Sequence, residues 1–275
     1  MAATDGRAQA EGNLTRTVLK ALDVLDCLAV ATEPLTAQAV AQRCGLSRAT
    51  AHRLLTTLER RGYARGAGSG RYQLGLRLLH LSSLLLGQLD LPLVARPELR
   101  EVSHRVDETA YLAVLDGIEV LYIDKVESSQ SVRLYSGVGT RNPLHCTSLG
   151  KAILAFLPDE ERATLLGRLT LTRRTPNTIS DRGVLEAHLN LVRAQGYAVD
   201  NIENEDHIRC VSAPIFDHDG RVTAAISVSG PAFRVSVERV PEVAAVVMEG
   251  AGAISRKLGY LPPAADGVVP VAAGE

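Results

Sequence analysis

Apolar positions recur at helical spacing through the first part of the chain. Ala51, Leu54, Leu55 and Leu58 stand at i, i+3, i+4 and i+7, as on a helix with one buried face. Shortly before them Ala37, Val40 and Ala41 mark a shorter helix of the same kind. Cys44-Gly45-Leu46-Ser47 separates the two, with Gly45 suited to a tight turn and Ser47 to capping the second helix. An earlier helix is expected to run from a cap at Thr17 through Val18, Leu22, Leu25 and Leu28, completing a three-helix domain. Residues 62–74 read as two short strands around a Gly-rich tip. Together these pieces predict a helix-turn-helix followed by a wing.

Further along, the run from Leu76 to Gly87 is too apolar for a free linker and predicts a helix covered by another surface. Past Pro92 the pattern alternates between helices and strands. A helix over Pro97 to Val106 precedes strands over Ala110 to Leu115 and Ile118 to Ile123, joined at Asp116-Gly117, a hairpin signal. A strand is expected at Val132 to Tyr135, then a Gly-rich loop, then a helix at Lys151 to Phe156. Asp181 opens a helix that buries Leu185, Leu189 and Val192 and ends at Gly196. Strands at Cys210 to Phe216 and Val222 to Val228 flank a second hairpin turn at Asp217 to Gly220, and a last helix covers Pro241 to Leu258. Helices on a largely antiparallel sheet define an α+β domain.

Charge changes the picture. Residues 36–75 hold seven arginines and one acid, Glu59, a net +6 in a chain whose total is −1. An ordinary helical hairpin has no need of that asymmetry, whereas a surface that neutralises phosphates does. The exposed face of the second helix is small or basic, with Arg48, Ala49, His52, Arg53 and Thr56, and suits a major groove. Ser47, Arg48, Thr50, His52, Arg53, Arg65 and Arg71 are the candidate DNA-binding residues. Arg48, Thr50 and His52 are assigned to base edges, and Arg53, Arg65 and Arg71 to phosphates. Residues 76–275 carry 20 basic and 25 acidic side chains, so that part is expected to sense a ligand or assemble the protein.

Composition excludes several classes. No apolar stretch is long enough to span a membrane and the first residues lack a signal-peptide core, so a cytoplasmic protein with no membrane partner is expected. The four cysteines at 27, 44, 146 and 210 show neither a disulfide framework nor paired metal spacing. No cofactor is expected.

Five ordered segments carry a family resemblance: Thr17-Val-Leu-Lys-Ala-Leu-Asp-Val-Leu, Gly45-Leu-Ser-Arg-Ala-Thr-Ala-His-Arg-Leu-Leu, Pro143-Leu-His-Cys-Thr-Ser-Leu-Gly-Lys-Ala, Gly196-Tyr-Ala-Val-Asp, and Ile208-Arg-Cys-Val-Ser-Ala-Pro-Ile-Phe-Asp with Ala225-Ile-Ser-Val-Ser-Gly-Pro231. From Thr17 to about Tyr260 the chain resembles IclR-type bacterial transcription regulators. The resemblance implies an N-terminal winged helix-turn-helix, a linker helix and a C-terminal α+β sensor domain similar to GAF and PAS domains. The expected organisation is a tail at 1–12, the DNA-binding domain at 13–75, the linker helix at 76–90, the effector domain at 91–260 and a tail at 261–275. The family implies a homodimer or homotetramer on a partly palindromic double-stranded DNA operator, more often a repressor than an activator. Its effectors are small organic acids, including sugar acids, 2-keto acids and aromatic acids. Glu203-Asn204-Glu205 stands where a sugar-acid subgroup carries the same residues, although Ile202 and His207 replace the Glu and Gly common in the family. The side chain at 207 projects to solvent, lines the pocket or changes the loop's conformation.

The pocket chemistry also follows from the residues. Ser227 and Ser229 are two apart on a strand and share a face, and Cys210 lies on the strand paired with it. A helix opening near Ser148 and Leu149 presents unpaired N–H donors that suit an anion. With the resemblance, the candidate effector-binding set is Ser148, Leu149, Asp200, Ile208, Cys210, Ser227 and Ser229. Three readings compete. Ser148 and Lys151 match the Ser-x-x-Lys of acyl-transfer enzymes, without the accompanying motifs, and no catalytic residue is assigned. His145, Cys146, Asp200, His207 and Cys210 would converge in a metal-responsive regulator, although their spacing is not that of a closed zinc site. The second domain would otherwise be an interaction module without a ligand.

Overall fold

A computed structural model describes residues 14–86, 90–130 and 137–262, the side chains of 82–86 excepted. The strand expected at Val132 to Tyr135, the tail at 1–12, most of that at 261–275 and the end of the linker lie outside the described residues. The chain divides into two compact units, residues 1–89 and 90–275.

Unit 1 begins with α1 (Arg16–Ala29), β1 (Leu35–Thr36), α2 (Ala37–Arg43) and α3 (Arg48–Arg60). Ser47 caps α3 by accepting from Thr50 N at 3.2 Å, and Thr36 caps α2 through Ala39 N at 3.2 Å. Ala51, Leu54, Leu55 and Leu58 are buried in α3, as their spacing predicts, and pack with Val40 and Ala41. The wing is β2 (Ala64–Gly66) and β3 (Arg71–Leu74), antiparallel, with β1 on the other edge of β3. Helix α4 (Arg77–Leu86) follows.

The first helix departs from expectation. It starts at Arg16 after Thr15, not from a cap at Thr17, and buries Val24, Cys27 and Leu28. Val18 and Leu22 are more than half exposed and Leu25 is only partly buried. Apolar residues cover more than half the circumference of α1, so periodicity alone does not select the buried side; contact with α2, α3 and β3 does.

Unit 2 is an antiparallel sheet of six strands: β4 (Thr109–Asp116), β5 (Glu119–Val126), β6 (Arg141–Pro143), β7 (Ala198–Asn201), β8 (Ile208–Phe216) and β9 (Val222–Pro231). Their order is β6-β5-β4-β9-β8-β7. On one face lie α5 (Leu91–Val106) and α9 (Val240–Lys257). A Cβ on Gly250 would come within 2.6 Å of Val102 and 3.3 Å of Ile226, so glycine there lets α9 settle onto α5 and β9. The other face carries α6 (Ser148–Phe156), α7 (Asp159–Arg168) and α8 (Arg182–Gln195), whose Leu149, Ile153, Leu165, Leu189 and Val192 share a core with Tyr111, Tyr122 and Ala225.

Helix α5 starts at Leu91, where Asp90 caps it, and continues through Pro97 to Val106. Helix α6 opens at Ser148, as the pocket reading has it and three residues before the apolar run at Lys151, with Thr147 capping it through Gly150 N at 3.1 Å. Helix α7 and the short strands β6 and β7 escape the periodicity reading; for the strands, three or four residues are too few to show a repeat. Both hairpins form where Asp116-Gly117 and Asp217–Gly220 place them, and α8 ends on left-handed Gly196.

Candidate DNA interface and candidate ligand pocket

Arg48, His52 and Arg53 lie exposed on α3 and Thr50 is half-buried. The Ser47 and Thr50 hydroxyls are bonded to each other at 2.8 Å as part of the cap. In the wing Arg65 and Arg71 are both exposed. Arg71 Nη1 donates to the Pro34 carbonyl at 3.1 Å, which fixes β3 against β1. Glu59, the acid in this stretch, accepts from Gly66 N at 3.0 Å and so is used to hold the wing to α3.

In unit 2 the pocket is assembled by strand register. Ser227 stands opposite Tyr111 on β4 and Ser212 on β8, and Ser229 stands opposite Thr109 and Cys210. Cys210 in turn stands opposite Asp200 on β7. Alternation puts these side chains on the face covered by the start of α6. A Cβ on Gly150 would collide with the Leu144 backbone, so glycine there lets the loop before α6 pack on its first turn. Ser212 Oγ donates to Ser148 Oγ at 2.6 Å, tying helix to sheet.

Between them lies a cavity of about 20 Å³, room for one water-sized centre. All seven expected residues, Ser148, Leu149, Asp200, Ile208, Cys210, Ser227 and Ser229, line it. Tyr111, Tyr122, Thr147, Asn204 and Glu205 also line it and were not among those expected. Cross-strand pairing with Ser227 would have found Tyr111, and Asn204 and Glu205 lay in a segment already singled out. The two tyrosine rings meet edge to face at 5.2 Å.

The polar groups are unequally satisfied. Ser227 Oγ is buried with no hydrogen-bond partner among the described residues. Asp200 Oδ1 accepts from Glu203 N at 2.6 Å and Asn204 N at 3.3 Å. Burial nevertheless dominates and pushes its pKa up to about 7. Burial likewise raises the thiols, Cys146 to about 12 and Cys210 well above its ordinary value. Lys151, with no exposed surface, is paired with Glu203, whose Oε1 also accepts from Asn201 N at 3.2 Å. Thr178 Oγ1 donates to the Glu203 carbonyl at 2.6 Å, and Thr175 Oγ1 to the Ile202 carbonyl at 2.6 Å. Burial, with the Lys151 charge adding to it, also lowers His188 to about 4.

These contacts bear on the competing readings. Lys151 is engaged by Glu203 and Ser148 by Ser212, an arrangement unlike a lysine activating a serine. The proposed metal ligands do not converge: His207 is exposed and His145 Nε2 faces the Thr172 carbonyl at 3.1 Å. Among the described residues no group of three or more His, Cys, Asp or Glu is placed to hold a metal ion. His207 does not line the cavity, and it holds φ 65°, the left-handed region that favours glycine. Ile202 holds φ 59°, strained for a β-branched residue.

A winged helix-turn-helix joined to an α+β unit with a polar pocket defines a DNA-binding transcription regulator. The family comparisons agree with that class. A family described as bacterial transcriptional regulator IclR C-terminal matches residues 84–256, and the IclR helix-turn-helix domain matches residues 17–67. The HTH-type transcriptional regulator XynR of Escherichia coli is 36% identical over 248 residues, 90% of this chain and 98% of that protein. Among solved structures, the Thermotoga maritima IclR is 38% identical with a TM-score of 0.61, covering 89% of this chain and 99% of that one. The Agrobacterium tumefaciens repressor BlcR is 27% identical with a TM-score of 0.77, covering 90% and 99%. The chain belongs to the IclR family of DNA-binding transcriptional regulators. Among the described residues no helix is long and apolar enough to cross a membrane.

Proposed function

We propose that this protein is a sequence-specific regulator, acting as a repressor, whose hold on its operator is set by a small carboxylic acid bound in the unit 2 pocket. The observation that carries the reading is the buried Ser227 hydroxyl, unpartnered among the described residues, beside the first turn of α6. A buried hydroxyl without a partner is costly unless a water or a ligand satisfies it, and a ligand that displaces the water takes over that bond. The N–H groups of Ser148 and Leu149, which no carbonyl among the described residues accepts, supply donors for the carboxylate. Ser227, Ser229, Cys210 and Asp200 then meet the effector's hydroxyl or carbonyl groups. The polar lining favours a keto or sugar acid over an aromatic one, and the cavity has to widen to admit any such acid.

On the DNA side, Arg48, Thr50 and His52 read base edges, with Ser47 beside them holding the helix start. Arg53, Arg65 and Arg71 hold phosphates. A homodimer or homotetramer places two recognition helices on one site, and the exposed Leu19, Leu22 and Leu76 of unit 1 offer apolar surface for a second copy to cover. Arg71→Ala should weaken binding to all duplexes about equally and flatten the salt dependence, whereas Arg48→Ala should also narrow the gap between operator and random DNA. Titrating both variants on the two duplexes over a salt series checks the division; identical behaviour of the two would contradict it.

A further inference from the structure

A groove of about 350 Å³ runs along the flank of α3 against α1. From α3 it is lined by Thr50, Arg53, Leu54 and Thr57, positions i, i+3, i+4 and i+7, so one stripe of that helix faces it. From α1 come Thr17, Val18, Lys20 and Ala21. Leu54 and Val18 make an apolar floor, and the rim carries two cations, Lys20 and Arg53, both exposed. No described acid lines the groove: Asp23 and Asp26 of α1 and Glu59 of α3 lie outside its walls. The Thr50 and Thr57 hydroxyls are engaged, with Ser47 and with the Arg53 carbonyl at 2.8 Å each. The groove therefore offers two like charges from two helices with no carboxylate between them. Cations on a concave surface raise the local potential for an anion.

We propose that this groove is a phosphodiester site and that Lys20 of α1, with Arg53, clasps a DNA backbone phosphate beside the recognition helix. The inference rests on α3 being the helix that reads DNA. A duplex whose base edges meet Arg48 and His52 must carry a phosphate strand along one flank of α3, and this concave cationic flank fits it. Lys20 thus belongs to a DNA interface that reaches back into the first helix. Nothing in the charge pattern along the chain singles it out, because it lies outside the dense arginine stretch of residues 36–75.

The test is anisotropy of the full-length protein on a labelled 30-base-pair mixed-sequence duplex over a series of KCl concentrations. Lys20→Gln should weaken binding at low salt and make the slope of log K against log [KCl] shallower by about 0.9 for each phosphate no longer neutralised. Lys20→Arg should restore most of it, and Arg168→Gln, the same removal of charge in unit 2, should leave the slope unchanged. Equal melting temperatures guard against a folding defect, and Lys20 is exposed on its helix. A slope for Lys20→Gln equal to that of the parent, or an equal change in Arg168→Gln, overturns the assignment. If the parent protein shows no salt-dependent binding, the DNA-reading role of α3 falls first.

Discussion

Asp200 is a carboxyl whose surroundings pull in opposite directions. Two backbone N–H groups and the nearby Lys151 favour its charge, yet burial outweighs them and raises its pKa from 3.8 to about 7. Across that window the folded chain holds a proton that the unfolded chain has released, so stability contributed by this residue falls as pH rises. It is fully present below the unfolded value and gone once pH passes about 7. Asp200→Asn keeps an oxygen to accept from Glu203 N and has no charge to bury. Denaturant unfolding of the parent should therefore show a decline between pH 4 and pH 7 that the variant lacks; equal declines would contradict this origin. Ser227, Ser229 and Cys210 were legible because alternation fixes the two serines on one face and hairpin pairing brings Cys210 to them, whereas the full set, Ile208 included, rested on the family resemblance. The protonation of Asp200 was not legible, since it depends on how deeply three separated segments bury one carboxyl. The same holds at 207, where the exposed His207 fits the reading that its side chain projects to solvent, while its left-handed backbone explains why glycine suits the position.

Among the elements, α6 joins pocket to core. Its first turn roofs the cavity and its Lys151 reaches Glu203, which is itself held by Asn201 N, Thr175 and Thr178. Removing one partner of such a pair leaves an uncompensated buried charge, at a cost of about 3–5 kcal/mol, whereas removing both is far milder. Lys151→Met should accordingly lower stability by about that amount, and adding Glu203→Gln should recover most of it. A double variant as unstable as the sum of the two single ones would contradict a direct pair. Nothing in the sequence pairs Lys151 with Glu203, because that partner lies on a loop 52 positions away. Elements with strong local signals, such as α3 and its Ser47 cap, α8 with its Asp181 and Gly196 ends, and both hairpins, were readable. Helix α1 was readable as a helix, while its buried face, Val24, Cys27 and Leu28, was not, because apolar residues stand on several of its sides. Strand β6 needs β5 to exist at all, and β7 needs β8.

At the scale of the whole molecule, the division of charge foreshadows the division of labour. The arginine-rich stretch falls in unit 1, whereas the polar pocket falls wholly in unit 2. An effector alters DNA affinity only through a different affinity for the two states of the protein, and the coupling is reciprocal: operator DNA changes effector affinity by the same factor. The most direct test of the central claim is anisotropy of the purified protein on the intergenic DNA upstream of its own gene, against a scrambled duplex at equal salt, with and without a panel of keto, sugar and aromatic acids. The account predicts tight selective binding that a keto or sugar acid shifts by a factor of about 5–150. Equal weak binding to both duplexes across a wider selection of DNA would contradict a sequence-specific regulator, and selective binding that no acid alters would contradict the assigned pocket.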